Sequence, residues 1–196
     1  MGWKDRQHEK KKQIWISVFM AALMIFSAFG IYLGSVSGPE QQFEYKGHEF
    51  EFEQGRYVTL INGAEVPFYN LPYDLETVNL SIEAVNLLRN AWVLQVVFDP
   101  EQPNLEYVEL TRFDWGKYWG RQIMSGVVKE SDLYSGLPLL SCANGTLNGP
   151  VIYLNVSQEF SSKAYDNCLV LNGIGVDFLR WRDRVLYSHL GILDQG

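Results

Sequence analysis

The sequence has few of the residues that build metal and redox sites. It contains two cysteines, Cys142 and Cys168, and three histidines, which are scattered at positions 8, 48 and 189. Zinc sites and redox-active cysteine pairs are typically built from closely spaced ligands such as CxxC, and no such spacing occurs here. We therefore predict no metal site and no cofactor.

Motifs of the common enzyme classes are missing as well. The chain lacks a GxSxG nucleophile elbow, an HExxH zinc-binding helix, a P-loop and a dinucleotide-binding fingerprint. Glu49, Glu51 and Glu53 alternate along one predicted strand, which is more typical of a solvated face than of paired catalytic carboxylates. The sequence therefore predicts no catalytic residue.

The charge of the chain is divided unevenly. Residues 1–13 carry five basic and two acidic side chains, a net charge of +3, so the −7 of the whole chain leaves −10 for the remainder. Such an acidic domain repels the phosphates of DNA and RNA. Binding to nucleic acid is therefore not expected.

One long apolar segment stands out near the N-terminus. Residues 14–33 form a run of twenty residues without a charged side chain. At about 1.5 Å per residue, a helix of this length spans the hydrocarbon core of a bilayer, about 30 Å thick. A cleaved signal peptide is the alternative, but its apolar region is typically only about 7–15 residues long and is followed by an A-x-A-like site. We therefore predict an uncleaved transmembrane anchor that contacts the lipid bilayer.

The basic tail, residues 1–13, sets the orientation of this anchor, because positively charged flanks stay on the cytoplasmic side. We expect a single-pass protein of the cell membrane with a cytoplasmic N-terminus. A flexible linker at 34–42, which contains Gly38-Pro39, then leads to a globular domain at 43–196 on the outside.

The pattern of the outer domain predicts an α+β (or α/β) fold with a central mixed β-sheet and about three helices. The Asn62-Gly63 pair is typical of a type I′ hairpin turn, and Pro67 favours a sheet edge. The continuous apolar run at 92–98 predicts a strand that is buried on both faces. The predicted strands are 48–53, 56–61, 64–68, 92–98, 137–142, 151–155 and 168–171, and the predicted helices are 81–91, with Ser81 as N-cap, 104–124 and 176–193.

Both cysteines lie in the predicted outer domain. Two thiols outside the cytoplasm usually form a disulfide. We therefore predict that Cys142 and Cys168 are bridged and that they join two neighbouring strands or the turns at their ends. Two free buried thiols are the alternative.

Asn79, Asn144 and Asn155 each begin an N-glycosylation sequon, which is a possible acceptor if the domain faces outward. Asn144 is favoured because it lies in a glycine-rich turn with threonine at the third position. Asn79 and Asn155 lie nearer to predicted regular structure.

The last predicted helix carries two polar residues within its apolar stripe. On a helical wheel, Arg182 and His189 lie near the centre of this stripe, whereas Arg184 and Ser188 lie on the opposite side. A buried guanidinium must find a carboxylate or several carbonyl groups. Arg182 and His189 are therefore a possible buried polar site, which is either a structural pair or a functional one.

Several short motifs lie in the C-terminal third of the chain. They are Cys142 with Asn144, Gly145 and Thr146, then Pro150-Val151-Ile152, Asn167-Cys168, the DRVLY run at 183–187 and the LGI run at 190–192. Together with the anchor, they resemble a group of uncharacterised archaeal membrane-anchored proteins. The resemblance implies an archaeal cell-surface setting and implies no catalytic residue.

These observations favour a non-enzymatic, membrane-tethered interaction or assembly domain that contacts another membrane or envelope protein. The alternatives are a tethered enzyme acting on an envelope substrate and a small-ligand binding domain. An enzyme needs a cleft with convergent polar groups and shifted acid–base groups. A ligand-binding domain needs the same cleft without a nucleophile or base.

Overall fold

The structure, a computed structural model, describes residues 15, 17–27 and 42–193. The chain divides into two units, residues 1–41 and residues 42–196. The described residues of the first unit are helical. Within the described part of the chain, no helix has both the length and the apolar character needed to cross a membrane. The predicted tail, most of the predicted linker, and positions 14, 16 and 28–33 of the predicted anchor lie outside the described residues, so the anchor stays a prediction.

The second unit begins with a four-stranded antiparallel sheet in which each strand pairs with the next along the chain. The strands predicted at 48–53, 56–61 and 64–68 are confirmed, and a further strand precedes them. Pro67 lies in the last strand, at an edge of the sheet, where its missing N–H costs no ladder hydrogen bond. The four strands are β1 (Gln42–Tyr45), β2 (His48–Glu53), β3 (Arg56–Ile61) and β4 (Ala64–Phe68).

All three hairpins of this sheet close through a two-residue turn that ends in glycine. The predicted Asn62-Gly63 turn has φ values of 52° and 82°, and Lys46-Gly47 and Gln54-Gly55 repeat this conformation. Positive φ at both central positions is the type I′ turn, whose twist matches that of the flanking strands. Glycine at the second position adopts it without a steric penalty.

Four helices and a second sheet complete the unit. The helices predicted near 81–91, 104–124 and 176–193 are present, and a short helix precedes them. Ser81 caps the second helix as predicted, because its Oγ accepts a hydrogen bond of 3.3 Å from the N–H of Ala84. The helices are α1 (Pro72–Leu75), α2 (Ile82–Asn90), α3 (Glu106–Tyr118) and α4 (Asp177–Leu190). The strands are β5 (Val93–Phe98), β6 (Gln122–Val127), β7 (Val151–Val156), β8 (Ser161–Tyr165) and β9 (Cys168–Gly173).

The second sheet is mixed and has the order β6-β5-β7-β9-β8. Strands β5, β6, β7 and β9 are parallel, and β8 runs antiparallel to β9 at one edge. As predicted, β5 is flanked by strands on both sides, and its last five residues are buried. The predicted α+β class is confirmed, with a separate antiparallel sheet beside the expected mixed one.

Two predicted segments differ from the structure. The helix predicted to reach 124 ends at Tyr118, because Gly120 takes a left-handed φ of 73° and starts the turn into β6. The strand predicted at 137–142 is a covering loop instead. Only the backbone around Leu139 bridges to Val127, and a 3-10 turn follows at Cys142–Asn144.

Helix α4 lies at the centre of the unit. Apolar residues such as Phe178, Trp181 and Leu186 belong to the main core, and Phe68 of β4 stacks on Tyr187 with ring centroids 4.1 Å apart. Arg184 and Ser188, which the helical wheel places opposite the apolar stripe, are both fully buried. Both faces of α4 are covered here, so a single apolar stripe does not describe it.

Candidate functional site

The two cysteines meet where the covering loop contacts the second sheet. The predicted proximity of Cys142 and Cys168 is confirmed, since their Cα atoms lie 5.2 Å apart and the sulfurs are bonded. Cys168 is the first residue of β9 and is fully buried, whereas Cys142 opens a 3-10 turn rather than ending a strand. The Tyr165 hydroxyl donates a hydrogen bond of 3.1 Å to Cys142 Sγ. The disulfide therefore joins the covering loop to the first residue of β9.

Arg182 lies in a fully buried ion cluster between α4, α3 and β4. Its Nη1 donates hydrogen bonds of 2.7 Å to Asp183 Oδ1 and 2.6 Å to the carbonyl oxygen of Pro67. Its Nε lies 3.3 Å from Asp114 Oδ2 of α3. The guanidinium also faces three aromatic rings at 5.4–5.5 Å, which favours the cation through their negative faces.

The carboxylate of Asp183 completes this cluster. Its Oδ2 accepts hydrogen bonds from the backbone N–H groups of Tyr69 and Asn70, both 2.8 Å, and from the Asn70 amide at 2.9 Å. Burial raises the pKa of Asp183, and the Arg182 guanidinium acts in the opposite direction. Because the charged side chains of Arg182, Asp183 and Asp114 are all buried, this cluster joins the first sheet to α3 and α4 within the core.

His189 makes a separate set of contacts, so the structure does not bring it together with Arg182. Its ring stacks on Trp119 with centroids 3.8 Å apart, and Nε2 lies 2.9 Å from the Trp119 carbonyl oxygen. Burial lowers the pKa of His189, although the carbonyls of Trp119 and Leu88 act in the opposite direction. A neutral, stacked imidazole without a carboxylate partner is a packing residue.

The three sequon asparagines differ in their surroundings. Asn79 and Asn144 are exposed, and Asn155 is half-buried on β7. The side chain of Asn155 belongs to a row of amides that crosses the sheet near the ends of its strands, from Gln102 through Asn155 to Asn172. Of the three, Asn79 also lines a cavity.

That cavity is a groove of about 410 Å³ beside the edge strand β8. Phe160, Ser162 and Ala164 form one wall, and the segment from Thr77 to Ser81 forms the other. Ser162 Oγ donates a hydrogen bond of 2.8 Å to the carbonyl oxygen of Asn79 and so joins the two walls. Hydroxyl and amide groups therefore dominate the rim of the groove.

The floor of the groove is aromatic and rigid. Trp181 of α4 lies there, and its Nε1 donates a hydrogen bond of 2.8 Å to the Asn172 carbonyl oxygen. Phe160 stacks on Trp181 with centroids 4.5 Å apart, and the Arg180 guanidinium lies 4.3 Å from the centroid of the Phe160 ring. Each ring is therefore held in place by contacts within the protein.

The hairpin geometry of β8 determines which main-chain groups face this groove. Tyr165 and Cys168 close a two-residue turn, so they form a hydrogen-bonded pair, and in an antiparallel ladder such pairs alternate. Lys163 and Ser161 therefore bond to β9, whereas the N–H and C=O groups of Ser162 and Ala164 point away from the sheet. No described backbone group outside β9 hydrogen-bonds to β8.

Sequence reasoning missed β8 because its SSKAY segment has no apolar alternation. An edge strand that is partly exposed on both faces lacks the pattern by which buried strands are recognised. The available signal was the Asp166-Asn167 pair, two turn-forming residues directly before the buried strand β9.

Among the described residues, no group of three or more His, Cys, Asp or Glu side chains is arranged to hold a metal ion. Comparison with protein-family models, with curated protein sequences and with solved structures finds no match to this chain.

Proposed function

We propose that this chain is a non-enzymatic, membrane-tethered interaction domain that faces the cell exterior and binds an extended segment of another envelope protein. The segment adds to the second sheet as a strand beside β8. The observation that supports this is the free outer edge of β8, where Ser162 and Ala164 expose main-chain groups above the groove. The bilayer anchor at 14–33 supplies the tether.

An exposed strand edge selects an extended peptide by its chemistry. Each outward N–H and C=O needs a hydrogen-bond partner, and a neighbouring strand supplies both at the correct spacing. Alternate side chains of the added strand then point into the groove, whose volume suits one or two residues. The aromatic floor favours an apolar side chain there, and the hydroxyl-rich rim can bond to its neighbours.

The charge on β8 favours a foreign segment over a second copy of this chain. Lys163 is the central residue of the five-residue strand. Two copies of β8 paired antiparallel about their centres would place one Lys163 opposite the other, and like charges directly opposite in a ladder destabilise it. A partner strand with an acidic or neutral residue at that place has no such penalty.

Ala164→Pro tests the proposal because proline removes the outward N–H of Ala164 and leaves the bonds between Lys163 and β9 in place. Proline is tolerated at such edge positions. Ala164→Ser, which keeps the N–H and a small side chain, is the matched control. A photoreactive amino acid at Thr77, on the opposite wall of the groove, reports the partner in living cells.

The expected result is one cross-linked envelope protein in the wild-type and Ala164→Ser backgrounds and a loss of at least tenfold with Ala164→Pro. The far-ultraviolet circular dichroism of all three proteins should agree. An equal yield from Ala164→Pro, or no adduct in the wild-type background, contradicts strand addition at β8.

A small polar ligand is the second candidate for the same groove. Hydroxyl groups of Thr77, Ser81 and Ser161 line it beside the ring of Phe160, and such a mixture suits a compact polar molecule with one apolar face. If the groove binds a small ligand, Ala164→Pro and Ala164→Ser should have the same affinity for it, because binding of a small ligand does not depend on the main-chain groups of the strand edge.

A further inference from the structure

We propose that Asn144 carries an N-linked glycan and that Asn155, in the same chain, does not. The inference rests on one part of the proposed function, the outward orientation of the domain, and is independent of the groove beside β8. All three sequons satisfy the sequence rule, so the distinction between them comes from the structure.

Asn144 presents its amide nitrogen to solvent. Its Oδ1 accepts hydrogen bonds from the backbone N–H of Ser141, at 2.8 Å, and from Ser141 Oγ, at 3.2 Å. These bonds fix the orientation of the side-chain amide while Nδ2 stays without a protein partner in the described part of the chain. Asn144 is also exposed, so an enzyme can reach the nitrogen.

The middle residue of this sequon explains why the turn is so tight. A Cβ atom at Gly145 would lie 2.4 Å from the carbonyl oxygen of Asn167, so only glycine allows the turn to pack on the β8–β9 hairpin. Thr146 Oγ1 accepts a hydrogen bond of 3.0 Å from the N–H of Gly149, which leaves its own hydroxyl proton free to donate. The disulfide at Cys142 anchors the turn to the sheet from the other side.

Asn155 has the opposite environment. Its Nδ2 donates a hydrogen bond of 2.7 Å to Asn172 Oδ1, and its Oδ1 accepts one of 3.1 Å from Gln102 Nε2. Gln102 is itself held by the N–H of Val156, at 3.1 Å. A glycan on Asn155 would break this row and leave half-buried polar groups without their partners, which is unfavourable.

The modification is a group transfer from a lipid-phosphate-linked oligosaccharide. The Asn144 Nδ2 attacks the anomeric carbon and forms the new carbon–nitrogen bond. The bond from that carbon to the phosphate oxygen breaks, and the lipid phosphate leaves with its electron pair. One amide proton passes to a base of the transferase, so atoms and charge balance.

The test uses the full-length protein purified from the membranes of its native cells, with the mass of each sequon peptide measured after proteolysis. The Asn144 peptide should carry one added oligosaccharide mass, and the Asn155 peptide should have its unmodified mass. Asn144→Gln should remove the mass shift of the intact protein, and Asn155→Gln, the matched control, should not change it.

A bare Asn144 or a modified Asn155 overturns the inference. Protease added to intact cells shows whether the domain faces outward, and so distinguishes a failure of this inference from a failure of the proposed function. If the protease reaches the domain and Asn144 is bare, this inference alone fails. If the protease does not reach the domain, the outward orientation is wrong and both fail. A glycan on Asn79 would fill the groove beside β8 and would contradict the proposed function only.

Discussion

Replacing Arg182 with leucine tests whether the buried ion cluster holds the unit together. The guanidinium is fully buried and contacts two carboxylates, on Asp183 and Asp114, as well as the carbonyl oxygen of Pro67. Leucine removes the positive charge and all of these contacts. It leaves two carboxylates in the core, Asp183 beside the N–H donors of Tyr69 and Asn70, and Asp114 beside the Tyr69 hydroxyl.

The expected loss follows from the asymmetry between forming and breaking a buried ion pair. Replacing both partners with apolar residues is often neutral, whereas removing one partner strands a buried charge and costs about 3–5 kcal/mol. A domain of this kind has a total free energy of unfolding of about 5–15 kcal/mol. Arg182→Leu should therefore remove a large part of the stability, and Arg182→Lys, which keeps the charge, should remove less.

The measurement is urea unfolding of the full-length protein in mild detergent, followed by the fluorescence of the buried tryptophans. Arg180→Leu is the matched control on the same helix. Arg180 is partly exposed and lies 3.6 Å from Asp177, so its loss should cost about 1 kcal/mol or less. Equal effects of Arg180→Leu and Arg182→Leu would refute the reasoning, as would a loss below about 1 kcal/mol for Arg182→Leu.

Four further predictions concern separate parts of the unit. Replacing both Cys142 and Cys168 by serine removes a cross-link between residues 26 positions apart and should lower the free energy of unfolding by about 3–4 kcal/mol. Alkylation of the unreduced, denatured wild-type protein should modify neither cysteine. Burial lowers the pKa of His189, so the unfolded chain binds a proton near pH 6.5 that the folded chain does not. The free energy of unfolding should therefore fall as the pH drops below that value. His189→Phe should flatten this pH dependence between pH 7 and 5. Gly116→Ala should raise the free energy of unfolding by about 0.5–1 kcal/mol, because the site is an exposed helical position with open space. Gly126→Ala, whose Cβ would lie 2.6 Å from a neighbouring side chain, should lower it.

Periodicity predicted the elements whose two faces differ in burial. Strands β2 and β4 alternate because one face packs on the core, through Phe50, Val66 and Phe68, and the other meets water. The helix at Ile82–Asn90 has a similar division. The continuous apolar run of β5 likewise indicated its place between two strands. In each case the pattern of burial determines the pattern of apolar residues, so the element can be inferred from the sequence.

The same logic failed where burial and secondary structure are not linked. The apolar residues at 137–142 resemble a strand, but they cover a sheet face as a loop, with Leu140 packed against Gly126. Strand β8 was missed for the opposite reason, since it is regular without being apolar. Because the candidate groove is built on β8, the site could not be predicted from the apolar pattern.

The ion cluster shows how far a helical wheel can be taken. The wheel placed Arg182 inside the apolar stripe, and a carboxylate partner was expected on charge grounds alone. The wheel could not identify Asp183 as this partner, because it assigns residues that are adjacent in sequence to different faces of the helix. Here α4 is buried on all sides from Trp181 to Ser188, so adjacent residues both point into protein.

This burial also explains how the helix accommodates so many polar groups within the core. The buried polar side chains of α4 are paired with one another and with neighbouring elements. Arg182 bonds to Asp183 and to the Pro67 carbonyl oxygen of β4, and Asp183 also bonds to the segment after β4. Arg184 bonds to Ser188 and to the Val78 carbonyl oxygen. Helix α4 therefore fixes the relative positions of the elements that pack around it.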